Sequence, residues 1–466
     1  MDIHNLKLNK FSSILITYYN NLYDTYKSEL KLPTKISKKY YNFQYKIYNL
    51  LKNIYSDIKL EYKKLDNFRK IYESENKDNK IIVKNILNEH FEENKFVSDD
   101  IINYIKTTDF VLINYNFIVN RVSINIKFFI YISHEISKKE INLYDKYAKH
   151  ILAMIKLISK LCLNKCSNNG LDISIFLTPF KRVILNSDKE IIGSKNANGG
   201  FCYGCQKKGE IFIYREEDFM KVLAHELIHN YGLDIYIFEF MKEANKQNSE
   251  EAKIYKEFIN NFNLSHAINE NNFDIGIQEA LIEFWGMFIN ISIYAYNFSE
   301  YNLNSYNDKF FVYLNTVENI YNIERIHSLL QVIKILDKTN LKYIDILSNY
   351  GRTFERNNYK EETHIFSYYI LKLFLIYDYS KFIVDNISVI NGKDVRLYFN
   401  NSIKNMEDFM NYMKKVSNNR ILYQSLVFTE KVYENLNSYI DKNKTKDKHK
   451  DIIKIRDNFK MVVIEF

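Results

Sequence analysis

The chain has 466 residues, 46% of them hydrophobic and 26% charged, with a formal net charge of +8. This much apolar material can bury a core of two or three units, and it excludes a disordered or collagen-like chain. The charge is scattered and no nucleic-acid motif accompanies it, so a solvated surface accounts for it without a nucleic-acid partner. Proline (2) and glycine (11) are scarce while Lys, Asn, Ile and Tyr abound, as AT-rich coding would give. Few breakers and many apolar residues at helical spacing predict a mainly helical protein.

The first residues, MDIHNLKLNKFSS, lack the basic and apolar regions of a secretory leader. The longest apolar run, Ile365 to Tyr379, is interrupted by Ser367 and Lys372 and falls short of the ~18 residues that a membrane span needs. Four cysteines in a chain this long point to a reducing compartment. The expectation is a cytoplasmic protein without a membrane partner.

Residues 1–165 read as helices, for example Phe11 to Leu30, Tyr40 to Glu73 and Leu143 to Leu163, with a loop from Glu73 to Lys80. His90, His134 and His150 stand alone there and take packing or surface roles. The texture changes near Cys166. SNNG, Ser167 to Gly170, is a turn signal, and LDISIFL, Leu171 to Leu177, is a strand that Pro179 ends. KRVIL, Lys181 to Leu185, reads as a second short strand and EIFIYR, Glu210 to Arg215, as the clearest one. Beyond about residue 236 the pattern is helical again, and Lys442 to Asp451 is a charge run expected in a loop or on an exposed helix face.

Between these regions lies KVLAHELIHNYGLD, Lys221 to Asp234. His225 and His229 are four apart, one turn above each other on a helix, which lets two imidazoles grip one metal ion. Glu226 projects beside that ion, where a general base for a metal-activated water belongs. Two surface histidines on a solvated turn are the bland alternative. The apolar flanks Val222, Leu223, Ala224, Leu227 and Ile228 argue against it, because unpaired buried histidines beside a carboxylate are costly. Glu216, Glu217 and Asp218 are expected in the first turn, and Gly232 at the C-terminal cap.

A catalytic zinc site needs a third protein ligand. Asp234 is the nearest candidate, but the spacing in H-E-x-x-H-x-x-G-x-x-H/D would put that ligand at Ile235. QEALIEFWG, Gln278 to Gly286, is the better source. Glu279 and Glu283 share one helix face in an apolar stretch, where paired carboxylates are expensive unless a cation or donor holds them. One can bind the metal while the other accepts the ring N–H of a ligating histidine.

H-E-x-x-H followed by Q-E-A-x-x-E resembles the gluzincins, the thermolysin-type clan. The resemblance implies that Glu279 is the ligand and that Glu283 orients His225. Two departures leave the order of Glu279 and Glu283 open: the separation from His229 is longer than in thermolysin, and Glu stands where the pattern has Asp. ISIFLTPFKRVI, NANGGF, GEIFIYREEDFMKVLAHELIHNYGLD, EALIEFWG and THIFSYYILK together are similar to the zinc metallopeptidases assigned by motif to large cytoplasmic DNA viruses, poxvirus-like and giant viruses. That would place the protein in host cytoplasm. The likeness does not extend to the first 150 residues.

Metallopeptidases of this type implicate further residues. The strand before the motif helix is expected to line the cleft and to offer a free edge to an extended peptide, with Tyr214 and Tyr368 assigned to substrate binding. His364 is the leading candidate oxyanion donor, ahead of Tyr368 and Tyr369, for which core packing is the bland alternative, and of Tyr231 and Arg215. Cys162, Cys166, Cys202 and Cys205 form C-x3-C and C-x2-C, a spacing open to a structural zinc clip, although buried free cysteines are common.

The reading is therefore a mainly α, α+β protein. A zincin-like core with a small mixed sheet occupies 166–300, between a helical region at 1–165 and another at 301–466 that completes the cleft. One catalytic Zn2+ held by His225, His229 and Glu279, with Glu226 as base, would hydrolyse peptide bonds of a protein or peptide substrate. The alternative is a catalytically silent zincin-like scaffold. Nothing in the residues specifies an oligomeric state.

Overall fold

The computed structural model describes residues 9–465 except 34–35, 73–76, 93, 132–134, 163–165, 185–190, 247, 264–274, 303–305, 348–358, 360, 387, 391–393, 397–401 and 443–449. Most of the described chain is helical. α1 (Lys10–Leu30) and α2 (Lys38–Glu61) lead into β1 (Arg69–Tyr72), α3 (Lys77–Ile86), α4 (Asp99–Thr107) and a hairpin of β2 (Val111–Val119) and β3 (Val122–Ile130). α5 (Lys138–Leu161), β4 (Leu171–Phe176), α6 (Ser194–Ala197), β5 (Gly200–Cys202) and β6 (Gly209–Ile213) follow. After α7 (Phe219–Asn230) come α8 (Ile235–Ala244), α9 (Glu250–Ile259), α10 (Ile277–Asn302) and α11 (Tyr306–Lys338). A π-helical turn, Phe366–Leu371, runs into α12 (Lys372–Tyr377), and α13 (Tyr379–Asp385), the small hairpin β7 (Ser388–Ile390) and β8 (Asp394–Arg396), α14 (Ile403–Ser417), α15 (Arg420–Lys442) and α16 (Lys450–Asp457) complete it. No helix among the described residues is long and apolar enough to cross a membrane.

Six strands form one mixed sheet in the order β1-β2-β3-β4-β6-β5. β1, β2 and β3 pair antiparallel, β3, β4 and β6 parallel, and β5 antiparallel to β6. Alternation splits its side chains between two cores. Ile113, Tyr115, Ile126, Phe128, Ile173, Ile175, Ile211 and Ile213 face the main core with α5 and α7. Leu112, Phe129, Phe176, Phe201, Phe212 and Tyr214 face a smaller one closed by α3, α4 and Phe91. The capping box at Ser137 and Glu140 starts α5, the helix that carries the chain from β3 to β4.

Half of the main sheet comes from residues 69–130, which corrects the all-helical reading of residues 1–165. The predicted helix Tyr40 to Glu73 ends at Glu61, and a 3-10 turn carries the chain into β1. Val111 to Ile130 alternates with period two, and the turn between β2 and β3 places Asn120 and Arg121 at positive φ, 51° and 67°. The predicted KRVIL strand is a single bridge from Val183 to Asn458. His134, Leu185, residues 73–76 of the predicted loop and 443–449 of the charge run lie outside the described residues. His90 and His150 have packing partners, Tyr203 and Tyr55.

Two chemical expectations also change. Cys166 and Cys205 form a disulfide, while Cys162 and Cys202 are free, so the four sulfurs make no zinc clip. A disulfide also removes the cysteine argument for a reducing compartment.

Candidate metal centre

α7 is buried on almost every side, Lys221, His225, Glu226 and Asn230 included, and a helix so enclosed is stable only inside a protein. Val222, Leu223, Ala224, Leu227 and Ile228 are all buried. The helix begins after Asp218, so Glu216, Glu217 and Asp218 precede the first turn instead of lying within it. It ends in a Schellman motif: the N–H of Gly232 bonds the carbonyl of His229 at 2.9 Å, and that of Leu233 bonds Ile228 at 3.2 Å. Gly232 takes φ 69°, a conformation that favours glycine.

That turn brings Asp234 back under the helix it has just left. Asp234 Oδ2 lies 2.5 Å from His229 Nδ1. It therefore faces Nδ1 of His229, the ring nitrogen turned away from His225 Nε2 and Glu279. On the facing helix, Glu279 stands in the first turn of α10 and Glu283 one turn later. Glu283 Oε1 lies 2.9 Å from His225 Nδ1 and also pairs with Lys221. Gly286 allows this close crossing, because a Cβ there would meet His225 N at 3.2 Å and Cα at 3.3 Å.

His225 Nε2 and His229 Nε2 are 3.0 Å apart, and Glu279 Oε2 is 3.3 Å from the first and 3.5 Å from the second. Among the described residues this is the one group of three or more His, Cys, Asp or Glu side chains converging as a metal site would. With a carboxylate facing each Nδ1, the tautomer assigned to both rings is Nδ1–H. Three lone-pair-bearing atoms then converge with no donor among them, an arrangement that a cation relieves. A tetrahedral ion with bonds of about 2.0–2.1 Å has ligand–ligand edges of about 3.3–3.4 Å, so the triangle has the size for zinc. The three side chains are only 8–12% exposed.

The surrounding carboxylates favour positive charge at the centre, which a cation supplies and which a proton on an imidazole would supply in its place. Burial disfavours the His225 and His229 imidazoliums, yet the surrounding carboxylates outweigh it and raise both pKa values, His229 well above its ordinary range. Burial pushes Glu279 and Glu283 upward. His229 and His225 overcome this at Glu279, and Lys221 with His225 overcomes it at Glu283, so both end low. Glu226 goes the other way, raised chiefly by burial, so it takes up a proton more readily than an ordinary carboxylate. The Cys202 thiol, held protonated by burial, lies 3.4 Å from the Glu226 carbonyl oxygen and is a contact that sequence reasoning missed.

Tyr368, on the π-helical turn, packs edge-on to His225 with ring centroids 6.2 Å apart. Burial and then the charges of Glu279, Glu283 and Glu226 push its pKa well up, which keeps the hydroxyl as a donor. His364 flanks the site: a Cβ on Gly276 would lie 2.7 Å from its Nδ1 and 3.1 Å from Glu279 Cγ.

Other expectations fail here. Tyr214 is fully buried in the smaller core and its hydroxyl donates to Phe96 O at 2.5 Å, so it lines no cleft. β6 has no free edge, because β5 covers it, and the edge strand beside the motif helix is β5. Arg215 gives its guanidinium to the carbonyls of Asn198, Lys181 and Lys195, and Tyr369 gives its hydroxyl to Phe459 O, so neither is an oxyanion donor. Tyr231 is the C-cap residue of α7, two residues beyond His229.

Compared with known protein families, with curated proteins and with solved structures, the chain matches none.

Proposed function

We propose that the chain is a zinc-dependent peptidase with its centre at His225, His229 and Glu279. The observation that carries this reading is the triangle of acceptor atoms, each imidazole backed by its own carboxylate. The H-E-x-x-H and Q-E-A-x-x-E likeness to gluzincins supports it. When bound, zinc supplies Lewis acidity that activates a water and polarises the scissile carbonyl.

The chain's residues do the rest. Asp234 and Glu283 hold the two rings with Nε2 facing inward. Glu226 takes the proton of the attacking water and passes it to the leaving amine, a role its raised pKa suits. Tyr368, with His364 beside it, offers a donor to the oxyanion. β5, the sheet edge next to α7, replaces β6 as the strand on which an extended peptide would lie. The cytoplasmic location belongs to this reading, and the Cys166–Cys205 disulfide is the observation against it.

The enclosure of the site favours a second reading, a catalytically silent metal-holding scaffold for a protein partner. An intact Glu226 opposes it, since a purely structural site needs no base.

Hydrolysis of a peptide library, with and without a chelator, separates the two. Wild type is expected to cleave, and Glu226→Gln to keep fold and zinc while losing about 10²–10⁴-fold in turnover. A Glu226→Gln protein as active as wild type would refute the mechanism. Stoichiometric zinc with no cleavage of any peptide would favour the scaffold.

A further inference from the structure

Residues 458–465, which follow α16, form neither helix nor ladder, yet Phe459, Lys460, Val462, Val463 and Ile464 are almost fully buried. Buried backbone groups must find partners. In most of this segment they find side chains. Lys334 Nζ donates to Asn458 O at 2.8 Å, Tyr369 Oη to Phe459 O at 2.7 Å, His327 Nε2 to Lys460 O at 2.9 Å and Lys372 Nζ to Met461 O at 2.8 Å. In the other direction, the N–H of Met461 donates to Asp218 Oδ2 at 3.3 Å and that of Val463 to Glu324 Oε1 at 2.7 Å. A peptide bound in a groove is held in this way.

Three of these side chains, Lys334, His327 and Glu324, come from α11, while Asp218, Tyr369 and Lys372 come from the start of α7 and from the π-helical turn and α12 beside the metal centre. Asp218 immediately precedes α7 and sits at φ 59°, a left-handed conformation that Asp adopts more readily than most non-glycine residues. Lys460 Nζ lies 3.0 Å from its Oδ1, Arg182 Nη1 3.2 Å from its Oδ2, and Glu465 accepts its N–H at 2.7 Å. One turn further on, Lys221 Nζ rests against Met461 Sδ at 3.4 Å and pairs with Glu283, the carboxylate that faces His225. Lys372, anchored on Met461 O, adds its charge to the same carboxylate.

We propose that residues 458–465 act as an internal peptide ligand whose seating fixes α7 against α10 and so sets the metal affinity of the centre, with Lys460 as its positioning residue. The proposal rests on the metal-centre reading above, but it concerns assembly and not turnover. Lys460 touches no ligand and acts through Asp218 and the start of α7.

The test uses the full chain and compares Lys460→Met, Lys460→Arg and a control, Ile113→Ala, which cuts the core in β2 three strands from β6. Zinc affinity is read by competition with a chromophoric chelator, the ligand field by the visible spectrum of the Co2+ form, and the seating of α7 by hydrogen exchange across Phe219–Asn230. Lys460→Met should weaken zinc binding by about tenfold or more, the scale of a lost orienting contact, change the Co2+ spectrum and raise exchange in α7. Lys460→Arg should restore all three. Ile113→Ala should lower stability and raise exchange across the whole core alike, with zinc affinity and the Co2+ spectrum as in wild type. If Lys460→Met does not fold, Met461→Leu, which keeps the volume and removes the sulfur beneath Lys221, should move them in the same direction by less. Unchanged exchange and affinity in Lys460→Met, or an equal loss in Ile113→Ala, overturns the proposal. If wild type binds no zinc, the metal-centre reading falls, and exchange in α7 still decides whether the segment seats that helix.

Discussion

Asp234 shows how one residue can be read correctly as chemistry and wrongly as a role. It was the nearest acid after H-E-x-x-H and its spacing fell one short of a ligand. The left-handed turn at Gly232 returns it to His229 Nδ1, 2.5 Å away, where it fixes the ring instead. Asp234→Asn is therefore expected to weaken zinc binding by about 10–100-fold without unfolding the chain, measured by chelator competition; an unchanged affinity would remove Asp234 from the site. Glu361 poses a different residue-scale question. Burial pushes its pKa to about 8, against hydrogen bonds from Tyr359 and from the N–H of Phe366 at the start of the π-helical turn. A raised folded-state pKa means that the protonated form favours folding. That contribution is complete below the unfolded pKa of 4.5 and is lost as pH rises through about 8. Glu361→Gln should flatten this decline by about 4 kcal/mol between pH 5 and 9. Parallel denaturant midpoints for variant and wild type across that range would show no role for Glu361.

At the scale of elements, the long-period features were legible and the short strands were not. α1 and α5 were visible because apolar residues recur at threes and fours between polar ones, and α7 because of its H-E-x-x-H spacing and apolar flanks. β4 and β6 were visible because turn signals bracket them. β2 and β3 were hidden by composition: with Ile, Tyr, Asn and Lys everywhere, helical spacing can be found in Val111 to Ile130 although alternation fits it better. The Asn120–Arg121 turn also lacks the glycine that usually announces a hairpin. The π-helical turn has no sequence signature, yet it carries Tyr368 to His225. The α7–α10 crossing was half legible, since Glu279 and Glu283 implied a facing helix but gave no reason for Gly286. The structure supplies it, as Gly286 lies directly on the His225 backbone. Gly286→Ala gains about 1 kcal/mol of helix propensity while forcing the two helices a few tenths of an ångström apart. The expected outcome is near-neutral stability with weaker zinc binding, and Gly286→Leu should lose both. Wild-type zinc affinity in Gly286→Ala would show that the crossing distance does not govern the site.

For the whole molecule, the centre joins parts of the chain that sequence order keeps apart. α7 supplies the two imidazoles of the triangle from beside β5 and β6, and α10 supplies its carboxylate after an intervening stretch of about fifty residues. β1, β2 and β3, drawn from the region without recognisable chemistry, build half of the main sheet on which α5 and α7 pack. The unfolded chain cannot hold the two imidazoles and Glu279 in one triangle, so a metal that binds there binds the folded state preferentially. Mass action then converts occupancy into stability: zinc at about 100 times its Kd should add about 2.7 kcal/mol, less whatever the free thiols of an unfolded chain recover. A chelator should remove the increment, Glu279→Ala should lack it, and Glu226→Gln should retain it, because Glu226 binds no metal in this scheme. Denaturant midpoints measured with zinc and with chelator decide the matter independently of any substrate. Equal midpoints for wild type in the two conditions would mean that the triangle holds no ion, and the peptidase mechanism would lose its centre.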